Sequence, residues 1–256
     1  MKAFWLAILM VCFASMARAE VKMDPVEYKH ADTTLKGFVV YDDAVTGKRP
    51  GVIVVHEWWG INDYPKERAR MLAQKGYVAF VADMFGDGKT TEHPQEAGEW
   101  AGALAANKDV AKARFMAAYD ILKKDPRVAA DRMAAIGYCM GGSVVLRMAF
   151  DGVELDGVAS FHGGLFPEPA AGPVKASILV CHGAADGFMP EDVVLQFQKN
   201  LAASGADYEF ISYGGAKHSF TNPGADKRGI AGLEYNAAAD RRSWAALLDF
   251  LGDVLK

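Results

Sequence analysis

The sequence GYCMGG occupies residues 137–142, after the apolar run MAAI at 133–136 and before the helix-like run SVVLRMAF at 143–150. Its first five residues have the pattern G-x-C-x-G, which is the G-x-S-x-G pattern of a nucleophile elbow with cysteine in place of serine. A tight strand-to-helix turn leaves no room for side chains two residues before and two residues after the nucleophile, and glycine occupies both positions. The stretch therefore predicts a buried strand, a sharp turn at Cys139 and a helix.

The elbow would place the Cys139 thiol at a helix N-terminus, where unpaired N–H groups and the helix dipole favour a thiolate. The backbone N–H of Met140 would then point to the position of an oxyanion. The alternative is a glycine-rich turn around a buried, unreactive cysteine, because short motifs often match by chance. Residues elsewhere in the chain are needed to distinguish a nucleophile from an unreactive cysteine.

Composition favours one α/β domain over residues 20–256. The chain has 256 residues, of which 51% are hydrophobic, and this is ample for one sizeable core. The net charge is -4 and no basic block stands out, so a nucleic acid is not expected as a partner.

The first 19 residues predict a signal peptide. Lys2 supplies a short positive region, residues 3–14 are apolar but too short for a comfortable membrane span, and residues 17–19 (ARA) form a cleavage site. An uncleaved anchor is the alternative. Cleavage would give a mature chain that starts at Glu20, and no later stretch is apolar enough to cross a bilayer. We expect an exported protein, located in a bacterial periplasm and free of the membrane.

Strands and helices alternate along the rest of the chain. Residues 26–30 and 35–41 predict an antiparallel hairpin, with Thr33 and Thr34 between its strands. Further strands are predicted at residues 51–56, 77–82, 132–136, 157–161, 176–181 and 208–213, and helices at about 62–75, 94–106, 109–124, 141–150, 191–203 and 237–254. This alternation predicts a mostly parallel central sheet with an N-terminal antiparallel hairpin and helices on both faces.

Polar residues collect directly after the predicted strands. They are Glu57, Asp83, Cys139, His162, Asp186 and His218. The carboxyl ends of parallel strands share one edge of a sheet, where ligands bind in open α/β folds. We therefore expect these six residues to meet at one site.

A cysteine nucleophile needs a base, and the base needs an acid that orients it. In the chain order typical of this elbow, the candidates are Cys139, then Asp186, then His218. An isolated aspartate more often caps a turn and an isolated histidine more often satisfies a backbone group, but three such residues in this order favour a catalytic triad. His162 has no acid after it in the required order, and His56 and His182 are expected to shape loops.

The remaining cysteines and motifs indicate no metal and no cofactor. Cys181 lies in an apolar strand and is expected to be buried and inert, so we predict two free thiols in the mature chain; a disulfide with Cys139 is the alternative. Two lone cysteines do not form a metal-binding motif. There is no G-x-G-x-x-G after a strand and no P-loop.

The chain resembles the dienelactone hydrolase family of the α/β-hydrolase fold. The matching segments are residues 54–62, 75–79, 82–86, 137–142, 182–186 and 217–220. The resemblance implies hydrolysis of an ester or lactone through a thioester intermediate, with Cys139, Asp186 and His218 as the triad. It also implies that Glu57 contacts the nucleophile and helps to generate the thiolate when substrate binds, and that the N–H groups of Trp58 and Met140 form the oxyanion hole.

One departure from the family concerns the substrate. Family members that act on dienelactone hold its carboxylate with arginines, one from the region after the Asp83 loop and one four residues past the catalytic histidine. Here residues 88–111 contain no arginine and the second position is Asn222, which cannot replace a bidentate guanidinium. Lys89, Lys108 and Lys227 are unspecific substitutes. A set of aromatic residues instead predicts an apolar or neutral substrate, unless they belong to the core: Trp59, Phe85, Trp100, Tyr138, Phe188 and Phe220.

The leading interpretation is thus a carboxylic-ester or lactone hydrolase acting on a small molecule. An acyltransferase with the same triad is an alternative, because water and another acceptor use the same acyl-enzyme. A non-catalytic ligand-binding or thiol-sensing protein is a second alternative. A binding protein needs none of Glu57, Cys139, Asp186 and His218, so their joint presence favours the enzyme.

Overall fold

Eight strands and six helices make up the computed structural model, which describes residues 20–256. The strands are β1 (Val21–His30), β2 (Thr33–Asp42), β3 (Arg49–Val55), β4 (Val78–Ala82), β5 (Val128–Tyr138), β6 (Gly157–Phe161), β7 (Ser177–Gly183) and β8 (Tyr208–Tyr213). The helices are α1 (Asp63–Ala73), α2 (Pro94–Ala106), α3 (Lys108–Lys124), α4 (Met140–Phe150), α5 (Glu191–Ala203) and α6 (Ala237–Val254). The predicted signal peptide lies outside the described residues, and its cleavage stays a prediction.

All eight strands form one sheet in the order β1-β2-β4-β3-β5-β6-β7-β8. The β1–β2 and β2–β4 pairs are antiparallel, and the other five neighbouring pairs are parallel. This confirms the predicted mostly parallel sheet with an antiparallel hairpin at its N-terminal edge.

The hairpin turn lies two residues earlier than predicted. Ala31 and Asp32 form it, with Ala31 at φ 50°, whereas Thr33 and Thr34 pair with His30 and Lys29 inside the ladder. Two-residue hairpin turns need positive φ, which β-branched threonine disfavours strongly. The threonines therefore extend β2, and both strands are longer than their apolar cores predict.

Side chains of each central strand alternate between two apolar layers. In β5, Met133 and Ala135 pack into the layer that contains residues of α2, α3, α4 and α5, while Ala134 and Ile136 pack into the layer that contains residues of α1 and α6. Strand side chains point alternately to opposite faces, so a run that is apolar at every position belongs to a sheet covered on both sides. Within residues 20–256, no helix combines the length and apolarity that a membrane crossing requires.

The carboxyl edge of the sheet carries the loops that the sequence singled out. Asp83, after β4, is fully buried and accepts hydrogen bonds from four backbone N–H groups, those of Lys36, Phe85, Gly86 and Gly88, at 2.8–3.0 Å. A buried carboxylate is tolerated when hydrogen bonds replace its hydration. Asp83 therefore shapes its loop. Its four hydrogen bonds all come from backbone N–H groups, so none of them connects it to the other five residues that were expected to meet at the site.

Candidate active site

Cys139 forms the turn between β5 and α4 in the conformation that an elbow requires. Its φ is 53° and its ψ is -117°, a region that costs a non-glycine residue backbone strain. A side chain on Gly137 would place its Cβ 2.0 Å from the carbonyl oxygen of Gly141, and one on Gly141 would place it 2.4 Å from that of Val55. The two glycines of the motif are therefore sterically required, and the predicted strand-turn-helix is confirmed.

The histidine and the acid of the predicted triad lie in contact. His218 Nδ1 is 2.8 Å from Asp186 Oδ2, and because a carboxylate only accepts, Nδ1–H is the donor. The other oxygen of Asp186 accepts the backbone N–H of Phe188 at 3.0 Å, and its side chain is fully buried. Both oxygens are thus engaged, which fixes the carboxylate and, through it, the plane of the imidazole.

The protonation of His218 connects it to the elbow. Burial by itself would lower its pKa, but the charge of Cys139 and the hydrogen bonds to Asp186 and Cys139 outweigh burial and raise the pKa to about 10. A thiolate and a carboxylate on two sides of an imidazole both favour the imidazolium. The geometry therefore favours a protonated His218 beside Cys139.

Glu57 lies after β3 and is tied to the loop that carries His218. It is 1% exposed. Ser219 Oγ donates to its Oε1 at 3.0 Å, and Asn222 Nδ2 donates to its Oε2 at 2.6 Å. Burial raises the pKa of Glu57, while hydrogen bonds from Asn222 and Ser219 and the charges of His218 and Arg228 oppose the rise. The structure thus places Glu57 at the site with its oxygens held by neutral donors, and the predicted contact with the thiol stays a prediction.

His162 lies at the site, as its position after a predicted strand indicated, but its contacts there were not predicted. It is fully buried after β6, and its Nδ1 accepts the backbone N–H of Cys139 at 3.2 Å. Its Nε2 is 2.7 Å from Thr221 Oγ1, which is 2.5 Å from the hydroxyl of Tyr64. Burial, then the charges of His218 and Arg68, lower its pKa well below the usual range, so it stays neutral. His162 connects the elbow to the loop of the catalytic candidates.

Backbone strain is concentrated in this site. Among residues 20–256, five non-glycine residues have positive φ, and three of them are Cys139, His162 and Ser219. Strained conformations cluster where a surrounding structure over-determines them, which is common at functional sites. The only signal in the sequence was their position directly after strands or beside the candidate histidine.

The predicted substrate-contacting aromatic residues separate into two groups. Trp59, Tyr138 and Phe220 are at most 1% exposed and belong to the core, so they do not offer a surface that substrate can reach. The structure does not support their prediction as pocket residues. Their rings pack in the core beneath the site, where an aromatic residue near a strand end is also commonly found. Phe188, by contrast, is 47% exposed, with its ring centroid 5.3 Å from that of His218.

Phe85 and Trp100 face a separate small cavity. Their rings meet edge to face at 5.5 Å and line a cavity of about 270 Å³ between α2 and α3. His56, beneath them, accepts the backbone N–H of Met84 at Nε2 and so joins the loops after β3 and β4. The loop-shaping role predicted for His56 is consistent with this contact.

Both cysteines of the described chain are free, as predicted. Burial raises the pKa of Cys181 to about 12, in keeping with the inert thiol that its strand indicated. Between Glu20 and Lys256, no group of three or more His, Cys, Asp or Glu side chains is arranged to hold a metal ion.

A sequence model of the dienelactone hydrolase family matches residues 35–255. The chain belongs to this family. It is therefore a hydrolase of the type that cleaves esters and lactones, on the α/β-hydrolase fold.

Solved structures and curated proteins resemble the chain over most of its length. A dienelactone hydrolase-like promiscuous phosphotriesterase from metagenomic libraries superposes with a TM-score of 0.90 at 36% identity, over 93% of this chain and 100% of that one. A Bradyrhizobium sp protein, named as a probable 2-oxo-3-(5-oxofuran-2-ylidene)propanoate lactonase, is 30% identical over 191 residues, which is 69% of this chain and 75% of that protein. Protein usf of Aquifex pyrophilus is 32% identical over 181 residues, 68% of this chain and 77% of that protein.

Proposed function

We propose that the chain cleaves carboxylic esters and lactones through a thioester on Cys139, with His218 as the base and Asp186 as the acid that orients it. The observation that carries the proposal is the 2.8 Å hydrogen bond between His218 and the buried Asp186. This pair lies close enough to the strained elbow that Cys139 and Asp186 together raise the pKa of His218 to about 10. Family membership supports the reaction type.

When substrate binds, the Cys139 thiol loses its proton to His218, with Glu57 helping the transfer, and a thiolate–imidazolium pair forms. In the first half-reaction, the sulfur then bonds to the acyl carbon and the carbonyl oxygen becomes an oxyanion. The N–H groups of Trp58 and Met140 would stabilise this oxyanion. Met140 is the first residue of α4, so its N–H has no acceptor within the helix. The C–O bond to the alcohol then breaks, and His218 gives its proton to the leaving oxygen.

In the second half-reaction, water takes the place of the alcohol. His218, now neutral, accepts a proton from the water as its oxygen bonds to the thioester carbon. The C–S bond breaks, the carboxylic acid departs and the thiolate–imidazolium pair is restored. An acceptor other than water would follow the same route and give acyl transfer, so product analysis separates the hydrolase from the acyltransferase.

The substrate is proposed to be neutral around the scissile bond. Asn222, at the position where dienelactone-specific relatives have an arginine, is 6% exposed and engaged with Glu57. It therefore offers no cation to a substrate carboxylate. The exposed ring of Phe188 beside His218 is an apolar surface suited to an alcohol group.

The proposal is tested with the mature chain, residues 20–256, and a panel of neutral p-nitrophenyl esters, unsubstituted lactones and dienelactone. A neutral phosphate triester belongs in the panel because the similar metagenomic protein is named a promiscuous phosphotriesterase. We expect turnover of neutral esters with a higher kcat/KM than for dienelactone. A folded, reduced chain that turns over no ester or lactone would instead favour the ligand-binding or thiol-sensing alternative.

Glu57→Gln is expected to lower kcat for ester hydrolysis about tenfold or more while the fold survives, because an amide cannot accept a proton and so cannot help to form the thiolate when substrate binds. We propose that the Glu57 carboxylate disfavours a standing thiolate until substrate binds, and that Ser219 and Asn222 hold it in place meanwhile. The measurement is steady-state kinetics together with thermal unfolding.

The matched control for this variant is Glu154→Gln, because Glu154 is an exposed carboxylate before β6, at the opposite edge of the sheet from Glu57, which follows β3. It should leave kcat unchanged. If Glu57→Gln retains the full rate as well, Glu57 only braces its loop.

We also propose that the chain is exported. Residues 1–19 predict cleavage before Glu20 and a periplasmic location, and N-terminal sequencing of the chain recovered from that compartment tests both.

A further inference from the structure

A groove of about 470 Å³ runs along α4 from the elbow. It lies between α2 and α4, and the loop that follows β6 forms its third side. Its lining is mostly apolar and includes Leu104, Val144, Met148, Leu165 and Phe166. We name this feature the α2–α4 groove. Apart from the backbone N–H of Met140, no group that lines the groove takes part in the reaction described above.

The groove begins beside the proposed nucleophile. Met140, the residue after Cys139, lines its near end, and Val144 and Arg147 continue the same face of α4 at helical spacing. Arg147 is seven residues past Met140, so the groove extends along α4 for about 10 Å. A linear chain attached at the elbow would fit into this length.

The far end of the groove is charged. Arg147 stacks on the ring of Phe166 at 3.7 Å and donates to Glu168 at 3.2 Å, and Lys108 Nζ is 3.8 Å from the same carboxylate. A linear ligand chain can bury apolar surface in the groove only up to this cluster. The cluster therefore limits the length of chain that gains binding free energy there.

The position of His218 decides which half of an ester would enter the groove. The leaving alcohol must take its proton from His218, so it has to lie on the side of the loops after β7 and β8. None of the residues that line the groove comes from those two loops. The acyl half lies on the opposite side of the scissile bond, where Met140 opens the groove.

We propose that the α2–α4 groove is the acyl-chain subsite of this hydrolase, and that it selects linear, apolar acyl groups of medium length. The inference rests on the proposed reaction at Cys139 and adds the substrate class to it. Acyl chains of about eight carbons fill a wall of about 10 Å. Shorter chains leave part of the apolar lining in water, and longer ones gain nothing beyond the charged cluster.

Wild-type selectivity gives the first test. Across p-nitrophenyl acetate, butyrate, hexanoate, octanoate and dodecanoate, kcat/KM should rise at least about tenfold from acetate to octanoate and then level off. In a series of octanoate esters with alcohols of increasing length, kcat/KM should change much less. A flat acyl series, or a dependence on alcohol length alone, would overturn the proposal.

Gly102→Leu is the decisive variant. Gly102 lines the groove from α2, and a Cβ added to it meets no atom within 4 Å, so the leucine side chain can enter the groove without displacing the core. Leucine is also a better helix former than glycine, so the fold should survive. The ratio of kcat/KM for octanoate to that for acetate should fall at least about tenfold.

Gly252→Leu is the matched control, because Gly252 is an exposed glycine of α6 whose added Cβ also meets nothing within 4 Å. It should keep the wild-type ratio. If Gly102→Leu keeps that ratio too, the groove does not hold the acyl chain.

Failure of the subsite and failure of the proposed reaction give different results. A wild type that hydrolyses acetate through Cys139 but shows no acyl-length preference contradicts the subsite alone. If no ester is turned over, calorimetric titration with octan-2-one, a neutral chain of eight carbons that cannot be hydrolysed, tests the groove directly. Binding that Gly102→Leu weakens at least about tenfold supports the groove, and no binding to the wild type contradicts it.

Discussion

Cys139→Ala is expected to lower kcat/KM for ester hydrolysis about a thousandfold or more, because the sulfur that bonds to the acyl carbon is removed. The alanine occupies the same strained turn, at φ 53°, and leaves the glycines around it unchanged. Steady-state kinetics on p-nitrophenyl esters and a thermal unfolding curve, measured on the same preparation, separate loss of the nucleophile from loss of the fold.

Cys181→Ala is the matched control for that experiment. Burial raises the pKa of Cys181 to about 12, so this thiol is not a nucleophile at neutral pH. It lies in β7 and within the core, so its substitution should lower stability modestly and leave kcat near the wild-type value. Turnover that survives in Cys139→Ala but disappears in Cys181→Ala would reverse the assignment of the nucleophile.

Asp186→Asn is expected to lower kcat by about a thousandfold to ten-thousandfold, as the loss of an orienting carboxylate does in other nucleophile–His–Asp hydrolases. The asparagine can still accept the N–H of Phe188, so the loop should keep its shape. Its amide, however, would donate where the carboxylate accepted from His218, and the tautomer of the imidazole would reverse. The proton would then lie on the nitrogen that faces Cys139.

The same substitution should also change the pH dependence. The pKa of His218 is raised to about 10, in part by the hydrogen bond and charge of Asp186. With an alkyl ester, whose leaving alkoxide needs a proton, activity requires protonated His218, so it should be lost as the pH rises through that pKa. Because asparagine removes both the charge and the accepted hydrogen bond that raise this pKa, the alkaline limb of kcat/KM should move to lower pH. Asp253→Asn, at an exposed helix end, should leave the profile unchanged.

An unshifted alkaline limb in Asp186→Asn would contradict the proposed role of the carboxylate even if the rate fell. A purely structural role for Asp186 predicts lower stability with an unaltered pH profile. The position of the alkaline limb therefore separates the orienting role from the structural role, because misfolding does not change it.

The features that sequence predicted are those that depend on local pattern. Continuous apolar runs identified the parallel strands because both faces of the sheet are covered. The two glycines around Cys139 identified the elbow because no other residue fits there. The contact between Asp186 and His218 followed from their positions after β7 and β8, since those strand ends share one edge.

The features that sequence did not predict depend on tertiary packing. Nothing local distinguishes Phe188, which is exposed beside His218, from Phe220, which is buried beneath His162. Asn222 was recognised as a departure from the family, but its contact with Glu57 joins residues 165 positions apart. The contact of His162 could not be predicted because its partner is the backbone N–H of Cys139, which no pattern of side chains reveals.

The central claim is a thioester on Cys139, and trapping that intermediate tests it most directly. The mature chain is mixed with p-nitrophenyl acetate, quenched in acid within milliseconds and analysed by intact-protein and peptide mass spectrometry. We expect the mass of one acetyl group on the peptide that contains Cys139, and no such mass in Cys139→Ala. An acetyl group on another residue, such as Ser143, or rapid turnover by the wild type that no Cys139 adduct accompanies, would contradict the account.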